Sequence, residues 1–396
     1  MAALIAAVVT AALSFAIWKL SAKFRLYPMI RERDVHVTPT PRLGGVAMFI
    51  GILVAFAVAS QVSWFHLVFE NPAQVYAILG AALIIVLIGV ADDIWDLDWL
   101  TKLTGQIIAA GLLVWQGVQL VTLPIGGVTV VPPVLGLVLT VGAVVLVMNA
   151  VNFIDGLDGL VAGVAIIANG VFFIYSYLLA RVVGETPYFN LASLITAVLI
   201  GACVGFMPLN WHPAKLFMGD AGALLLGMLM ATSAISVTGQ IDPRSIESGK
   251  LLAGAFIPIL LPVAILLVPL LDFVLAITRR LRAGKSPFSA DRQHLHHRLL
   301  DMGHTHFQSV LIFYAWTAVL SVGILLFLVI PVVWVLVFLA VGIVGCAWLT
   351  IAPLARKKEP HVDESDARQG EPIKTQRLVP QTTKSAAVDA MEKDRR

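Results

Sequence analysis

Runs of about 20 apolar residues, the length that carries a helix across a bilayer, recur from the first residues of this chain almost to its end. Eleven such spans are predicted, at approximately 2–20, 44–60, 75–91, 103–121, 134–151, 158–180, 191–209, 219–237, 251–278, 310–329 and 331–352. Of the 396 residues 59% are hydrophobic and 13% charged, which excludes a soluble domain. The expected fold is an all-α integral membrane protein of about eleven transmembrane helices. The turn residues between β-branched ones at 121–133 predict a small hairpin at the outer surface. Residues 1–352 read as one polytopic membrane domain. The stretch 353–396, charged and poor in aromatics, reads as a disordered cytoplasmic tail.

Loop charge orients the spans. The first span has no basic segment ahead of it, whereas Lys19, Lys23 and Arg25 follow it, which argues against a secretory signal. Connections one, three, five, seven and nine hold 13 Lys and Arg, and the tail holds ten more. The other loops hold only Arg181, Arg244 and Lys250. The positive-inside rule therefore predicts an N-terminus outside and a C-terminus in the cytoplasm. Pro262 and Pro269 lie inside the long ninth span, which is expected to be kinked or broken there. Cys203 and Cys346 sit alone in apolar runs and read as small buried hydrophobes.

Against this apolar background the polar clusters stand out, and all fall on the predicted cytoplasmic side. Between Met148 and Gly163, Asn149, Asn152, Asp155 and Asp158 are spaced three apart, so a helical segment would give them one face. A carboxylate at the centre of a membrane helix costs about 2.5–3.5 kcal/mol, so such a set belongs at a membrane edge or a wet cavity. Asp92, Asp93, Asp96 and Asp98 close the third span against the helix dipole, a strain that a divalent cation would relieve. Magnesium suits carboxylates, waters and phosphate oxygens best. A solvated acidic loop is the alternative, chiefly for Asp96 and Asp98. Asp220, flanked by Gly219 and Gly222, opens the eighth span and reads as a further cation ligand or as an N-cap. Gly44 and Gly45 would offer backbone N–H groups to an anion, or form an ordinary turn.

The fifth cluster contains Arg292, His294, His296, His297 and Arg298. Without Cys or a distant fourth ligand, this tract makes a poor structural zinc site. Histidines among arginines suit phosphate, and the missing aromatic interleaving argues against nucleic acid. Carboxylates for a divalent cation beside cations for phosphate, at a lipid boundary, point to phosphoryl chemistry between a lipid and a water-soluble partner. An ion-coupled secondary transporter is the rival of another class, although its carboxylates would be expected near the midplane.

Four ordered motifs carry a resemblance over nearly the whole chain up to about residue 350: Asp92-Asp93, Asn152-X-X-Asp155-Gly-X-Asp158-Gly, Phe217-Met218-Gly219-Asp220-X-Gly222 and His294-X-His296-His297. The chain resembles the polyprenyl-phosphate N-acetylhexosamine-1-phosphate transferases of glycosyltransferase family 4. That resemblance implies a plasma-membrane enzyme with a cytoplasmic active site. It would move a phospho-sugar from a UDP-sugar to polyprenyl phosphate, releasing UMP, with Mg²⁺ or in its place Mn²⁺. The histidine tract is similar to that of the UDP-GlcNAc branch, and the UDP-MurNAc-pentapeptide branch is the alternative. Carried onto this sequence, Asp92, Asp93 and Asp220 would hold the metal, and Asp92 or Asp93 could take the last proton of the lipid phosphate. An aspartate acting as a covalent nucleophile is the competing mechanism. Asp155 and Asp158 join the catalytic set, orienting nucleotide and metal waters with Asn152 and Asn210. Lys102, Arg292, His294, His296 and His297 would bind substrate. The implied partners are UDP-sugar, polyprenyl phosphate and the bilayer, with a homodimer as the assembly left open.

Overall fold

The computed structural model describes residues 1–24, 40–124, 128–183, 187–238, 260, 263–264, 267–282, 284 and 295–356. The helices, in chain order, are α1 (Ala2–Phe24), α2 (Gly44–Ala59), α3 (Pro72–Trp95), α4 (Trp99–Trp115), α5 (Pro133–Phe153) and α6 (Leu160–Val183). They continue with α7 (Pro187–Asn210), α8 (Gly219–Thr238), α9 (Leu267–Arg282), α10 (Leu295–Asp301), α11 (His306–Leu326) and α12 (Val332–Arg356). Among the described residues eight helices are long and apolar enough to cross a membrane. A ninth candidate is α2 together with the 3-10 helix Ser63–Phe69, bent 110° to it. The predicted fourth span is a shorter apolar helix of 17 residues.

The centre of the bundle is α8. Its apolar window is 94% buried by protein, against 17% for α1 and 11% for α12. It packs on α2, α3, α5 and α7. Small residues allow that approach: a Cβ on Gly45 would overlap the backbone of Gly222, and one on Gly89 the backbone of Ala221. Helix association inside a bilayer depends on such close van der Waals fit, because lipid supplies no hydrophobic drive between helices. The same device seats α1, whose backbone at Ala3 and Ala7 lies against Gly201 and Gly205 of α7.

The hairpin predicted at 121–133 is an antiparallel pair, β1 (Thr122–Pro124) and β2 (Val128–Val130), with Thr122 opposite Val130 and Pro124 opposite Val128. All other regular secondary structure among the described residues is helical. Of the predicted ninth span, the described part is mainly α9, where Pro269 occupies the first turn. Pro262 lies outside the described residues, as does the tail from residue 357 onward.

One sequence expectation changes here. Asn149, Asn152, Asp155 and Asp158 do not share a helix face, because α5 ends at Phe153 and turns follow up to Gly159. Gly159 has φ +75°, a left-handed conformation that a helix cannot continue through and that favours glycine. Asn149 turns away from the group and bonds Gln106 Oε1 on α4 (2.6 Å) and the Val145 carbonyl (2.8 Å).

Candidate active site

The C-terminal ends of α3 and α5 and the N-terminal ends of α4 and α8 meet at one end of the bundle. From α3, Asp92 is buried, and its Oδ1 accepts the Leu97 N–H (2.8 Å) just beyond the helix. Its Oδ2 pairs with Lys102 Nζ of α4 at 2.6 Å. The same ammonium lies 3.5 Å from Asp220 Oδ2, in the first turn of α8. From α5, Asn152 Nδ2 donates to Asp220 Oδ1 (3.1 Å). The Asp220 amide faces Asp93 Oδ1 at 3.4 Å. The other oxygen, Asp93 Oδ2, is buried with no hydrogen-bond partner. A buried carboxylate oxygen left in that state costs free energy unless something cationic meets it.

Backbone chemistry at two turns places these groups. Gly219 has φ +67°, and a Cβ there would strike the Asp93 carboxylate and the Arg42 carbonyl. Only glycine lets the chain enter α8 this close to Asp93. At the end of α3, Asp96 takes a left-handed C-cap (φ 53°) and Asp98 becomes the N-cap of α4, accepting from Thr101 N (3.0 Å) and Thr101 Oγ1 (2.6 Å). Those hydrogen bonds hold the Asp98 carboxyl below the usual carboxylate range. Asp98 therefore caps a helix, while Asp92 and Asp93 face inward.

The Gly44 and Gly45 amides, expected to bind an anion, are already used. They donate to the carbonyls of Phe217 and Met218, at 2.9 Å each, and the Phe217 N–H donates to the Pro41 carbonyl (2.8 Å). This short ladder ties the approach to α2 onto the segment before Asp220.

A second polar group adjoins the first through the turn after α5. Asp158 is buried, and its Oδ2 lies 2.7 Å from His212 Nδ1 and accepts the Ala214 N–H (3.0 Å). The Asp158 N–H points at His306 Nε2 (3.3 Å), and the two imidazoles stack with centroids 4.3 Å apart. Asn210 is buried and spends its amide on main chain, accepting from the Gly159 N–H and donating to the Leu216 carbonyl, both at 3.1 Å. Tyr314 Oη donates to the Gly159 carbonyl (2.5 Å).

The structure thus unites Asp92, Asp93, Lys102, Asn152 and Asp220. Asp155 lies in the turn between the two groups, its N–H directed at the Asn152 carbonyl (3.2 Å). Asp158 and Asn210 belong to the second group. His296 and His297 lie on α10, but their side chains, like all of Arg292 and His294, are outside the described residues. Sequence reasoning gave no role to His212, His306 or Arg280. Arg280 is buried, with its guanidinium 5.8 Å from the Phe153 ring beside Asn152. Its basic run with Arg279 and Arg282 was visible, but its inward placement was not.

Apolar helices whose ends converge on carboxylates, an amide and an ammonium define a polytopic membrane enzyme with its polar centre at one end of the bundle. Residues 75–238 match the model of glycosyl transferase family 4. The chain is 45% identical over 301 residues to the decaprenyl-phosphate N-acetylglucosaminephosphotransferase of Mycobacterium tuberculosis, covering 75% of this chain and 74% of that one. To the Mycolicibacterium smegmatis protein of the same name it is 41% identical over 342 residues, 85% and 84% of the two chains. A probable undecaprenyl-phosphate N-acetylglucosaminyl 1-phosphate transferase of Bacillus subtilis is 33% identical over 295 residues, 74% of each. This chain belongs to glycosyl transferase family 4, among its polyprenyl-phosphate N-acetylhexosamine-1-phosphate transferases.

Proposed function

We propose that this protein transfers N-acetylglucosamine-1-phosphate from UDP-GlcNAc to a polyprenyl phosphate, giving polyprenyl-diphosphate-GlcNAc and UMP, as a first membrane step of a cell-envelope polysaccharide. The observation that carries this reading is the convergence of Asp92 and Asp220 on Lys102, with Asn152 bonded to Asp220, at one end of an apolar bundle. The names of relatives at 41–45% identity support GlcNAc as the sugar. The setting is the plasma membrane in the eleven-span arrangement, N-terminus outside and active site cytoplasmic, as loop charge supports.

A lipid-phosphate oxygen attacks the sugar-bearing phosphorus of UDP-GlcNAc, and the bond to the bridging oxygen breaks as UMP leaves. The donor set fits Mg²⁺, with Mn²⁺ a substitute: Asp92, Asp93 and Asp220 are hard oxygen ligands, and Asp93 Oδ2 is buried without a partner. When bound, such an ion offsets diphosphate charge and stabilises the departing oxygen. Asn152 fixes the Asp220 carboxylate through its amide. Lys102 stands where negative charge grows on the transferring phosphoryl group and, fixed by two carboxylates, meets it without reorganising. Whichever of Asp92 and Asp93 does not hold the ion takes the remaining proton from the lipid phosphate when that group is still singly protonated. Asp155 and Asp158 order the turn beside Asn152, and Arg292, His294, His296 and His297 hold the donor's phosphates and sugar.

The test offers labelled UDP-GlcNAc and UDP-MurNAc-pentapeptide separately to membranes holding the protein, polyprenyl phosphate and Mg²⁺. GlcNAc label entering the lipid, with equimolar UMP released, is the expected result. Label entering only from the pentapeptide donor would replace this reading with the peptidoglycan one.

A further inference from the structure

Asp158, His212 and His306 come from the turn after α5, the loop after α7 and the first residue of α11, separated by 54 and 94 positions in sequence. Each offers one ligand atom, and the three atoms lie within 4.8 Å of one another. We propose that these three side chains form a second metal site, separate from the Asp92–Asp93–Asp220 centre and suited to Zn²⁺ or a similar borderline transition ion. The proposal does not depend on the donor or acceptor assigned above.

The chemistry of the donors sets the class of ion. Two imidazoles and one carboxylate favour zinc and its first-row neighbours over Mg²⁺ or Ca²⁺, which prefer oxygen throughout. Three protein ligands with a fourth position left for water or substrate is the usual form of an open zinc site. His306 Nε2 accepts the Asp158 N–H at 3.3 Å, so this nitrogen is unprotonated, and an ion would take its lone pair over from that long hydrogen bond. His212 Nδ1 faces Asp158 Oδ2 at 2.7 Å. Two ligands of one tetrahedral zinc stand about 3.3 Å apart, so loading needs these two groups to part by roughly half an ångström.

Neighbouring contacts hold the Asp158 end of the site. The Ala214 N–H fixes Asp158 Oδ2 (3.0 Å). Tyr314 and Asn210 clamp the Gly159 carbonyl and amide directly after Asp158. The rings of His212 and His306 stack with centroids 4.3 Å apart and planes 18° apart, which holds the two imidazoles side by side. His212 is exposed, so an ion has a way in.

The test uses the full chain purified in detergent, stripped with chelator and titrated with Co²⁺, a spectroscopic stand-in for zinc. Visible bands of four-coordinate Co²⁺ are expected in the parent protein and in Asp220→Asn, and are expected to vanish in His212→Ala and His306→Ala. Zinc bound per chain, measured after gel filtration, should fall by one equivalent in the same two variants. Because His212 is exposed, its replacement leaves the fold intact, and unchanged thermal unfolding of that variant confirms it. Absence of the bands in the parent protein, or their survival in His212→Ala, would overturn the site. So would bands lost in Asp220→Asn and kept in His212→Ala, which would assign the ion to the carboxylate centre.

Discussion

Lys102 and Asp92 form an ion pair of 2.6 Å that fastens the first turn of α4 to the last turn of α3. The Asp92 side chain is only 3% exposed, so its charge depends on this partner. Losing one member of a fully buried pair costs about 3–5 kcal/mol, and the 25% exposure of Lys102 lowers that figure. Lys102→Met is expected to destabilise the protein by about 1–3 kcal/mol and to slow UMP release about a hundredfold or more. Thermal unfolding in detergent and a UMP assay measure the two effects. Near-normal turnover in Lys102→Met would remove the ammonium from the reaction.

Asp93→Asn and Asp220→Asn should each abolish transfer while the protein still inserts in the membrane. Binding is the sharper readout. Mg²⁺ at a hundredfold excess over its Kd should stabilise the parent protein by about 2.7 kcal/mol. That gain, read as a rise in Tm, is expected to disappear in both variants, and its persistence would separate these carboxylates from the ion.

Gly219→Ala puts a Cβ against the Asp93 carboxylate and the Arg42 carbonyl at φ +67°. The left-handed backbone alone costs about 1–2 kcal/mol. Relief of the overlap would move Asp93 away from the head of α8, and turnover is expected to fall about a hundredfold. A kinetic comparison at saturating UDP-GlcNAc reads this loss, which should appear in kcat.

Asn210→Ala strands the Gly159 N–H and the Leu216 carbonyl in a buried place. Each stranded group costs about 1–3 kcal/mol, so the variant should unfold at a clearly lower temperature. Asn210→Asp keeps the acceptor but loses the donor, and a partial loss is expected. Equal Tm for all three proteins would refute the clamp.

His294→Ala is expected to raise the KM for UDP-GlcNAc, or to stop turnover, through loss of a contact to the donor's phosphates. Kinetics identical to the parent would take the histidine tract out of the site.

Hydropathy placed most helices within a few residues, because a bilayer demands long apolar runs whatever their neighbours. Asp92, Asp93 and Asp220 were legible for the same reason: a carboxylate next to an apolar span needs a partner. The division of Asn149 through Asp158 between three destinations was not legible. Periodicity assumes a continuous helix, and the helix stops at Phe153. The Gly44–Gly45 amides misled in another way, since their acceptors, Phe217 and Met218, lie about 170 positions away. Sequence distance also hid His212 and His306, each an unremarked residue until the fold stacks one on the other.

Among the described residues, Asp220 is carried by the one long helix that is walled in almost entirely by its neighbours. Its head is locked, main chain to main chain, at Gly45 and Gly89. Thinning or stiffening of the surrounding lipid is felt first by α1 and α12, which lie at the rim. The residue that anchors the polar centre is thereby insulated from the mechanical state of its own solvent.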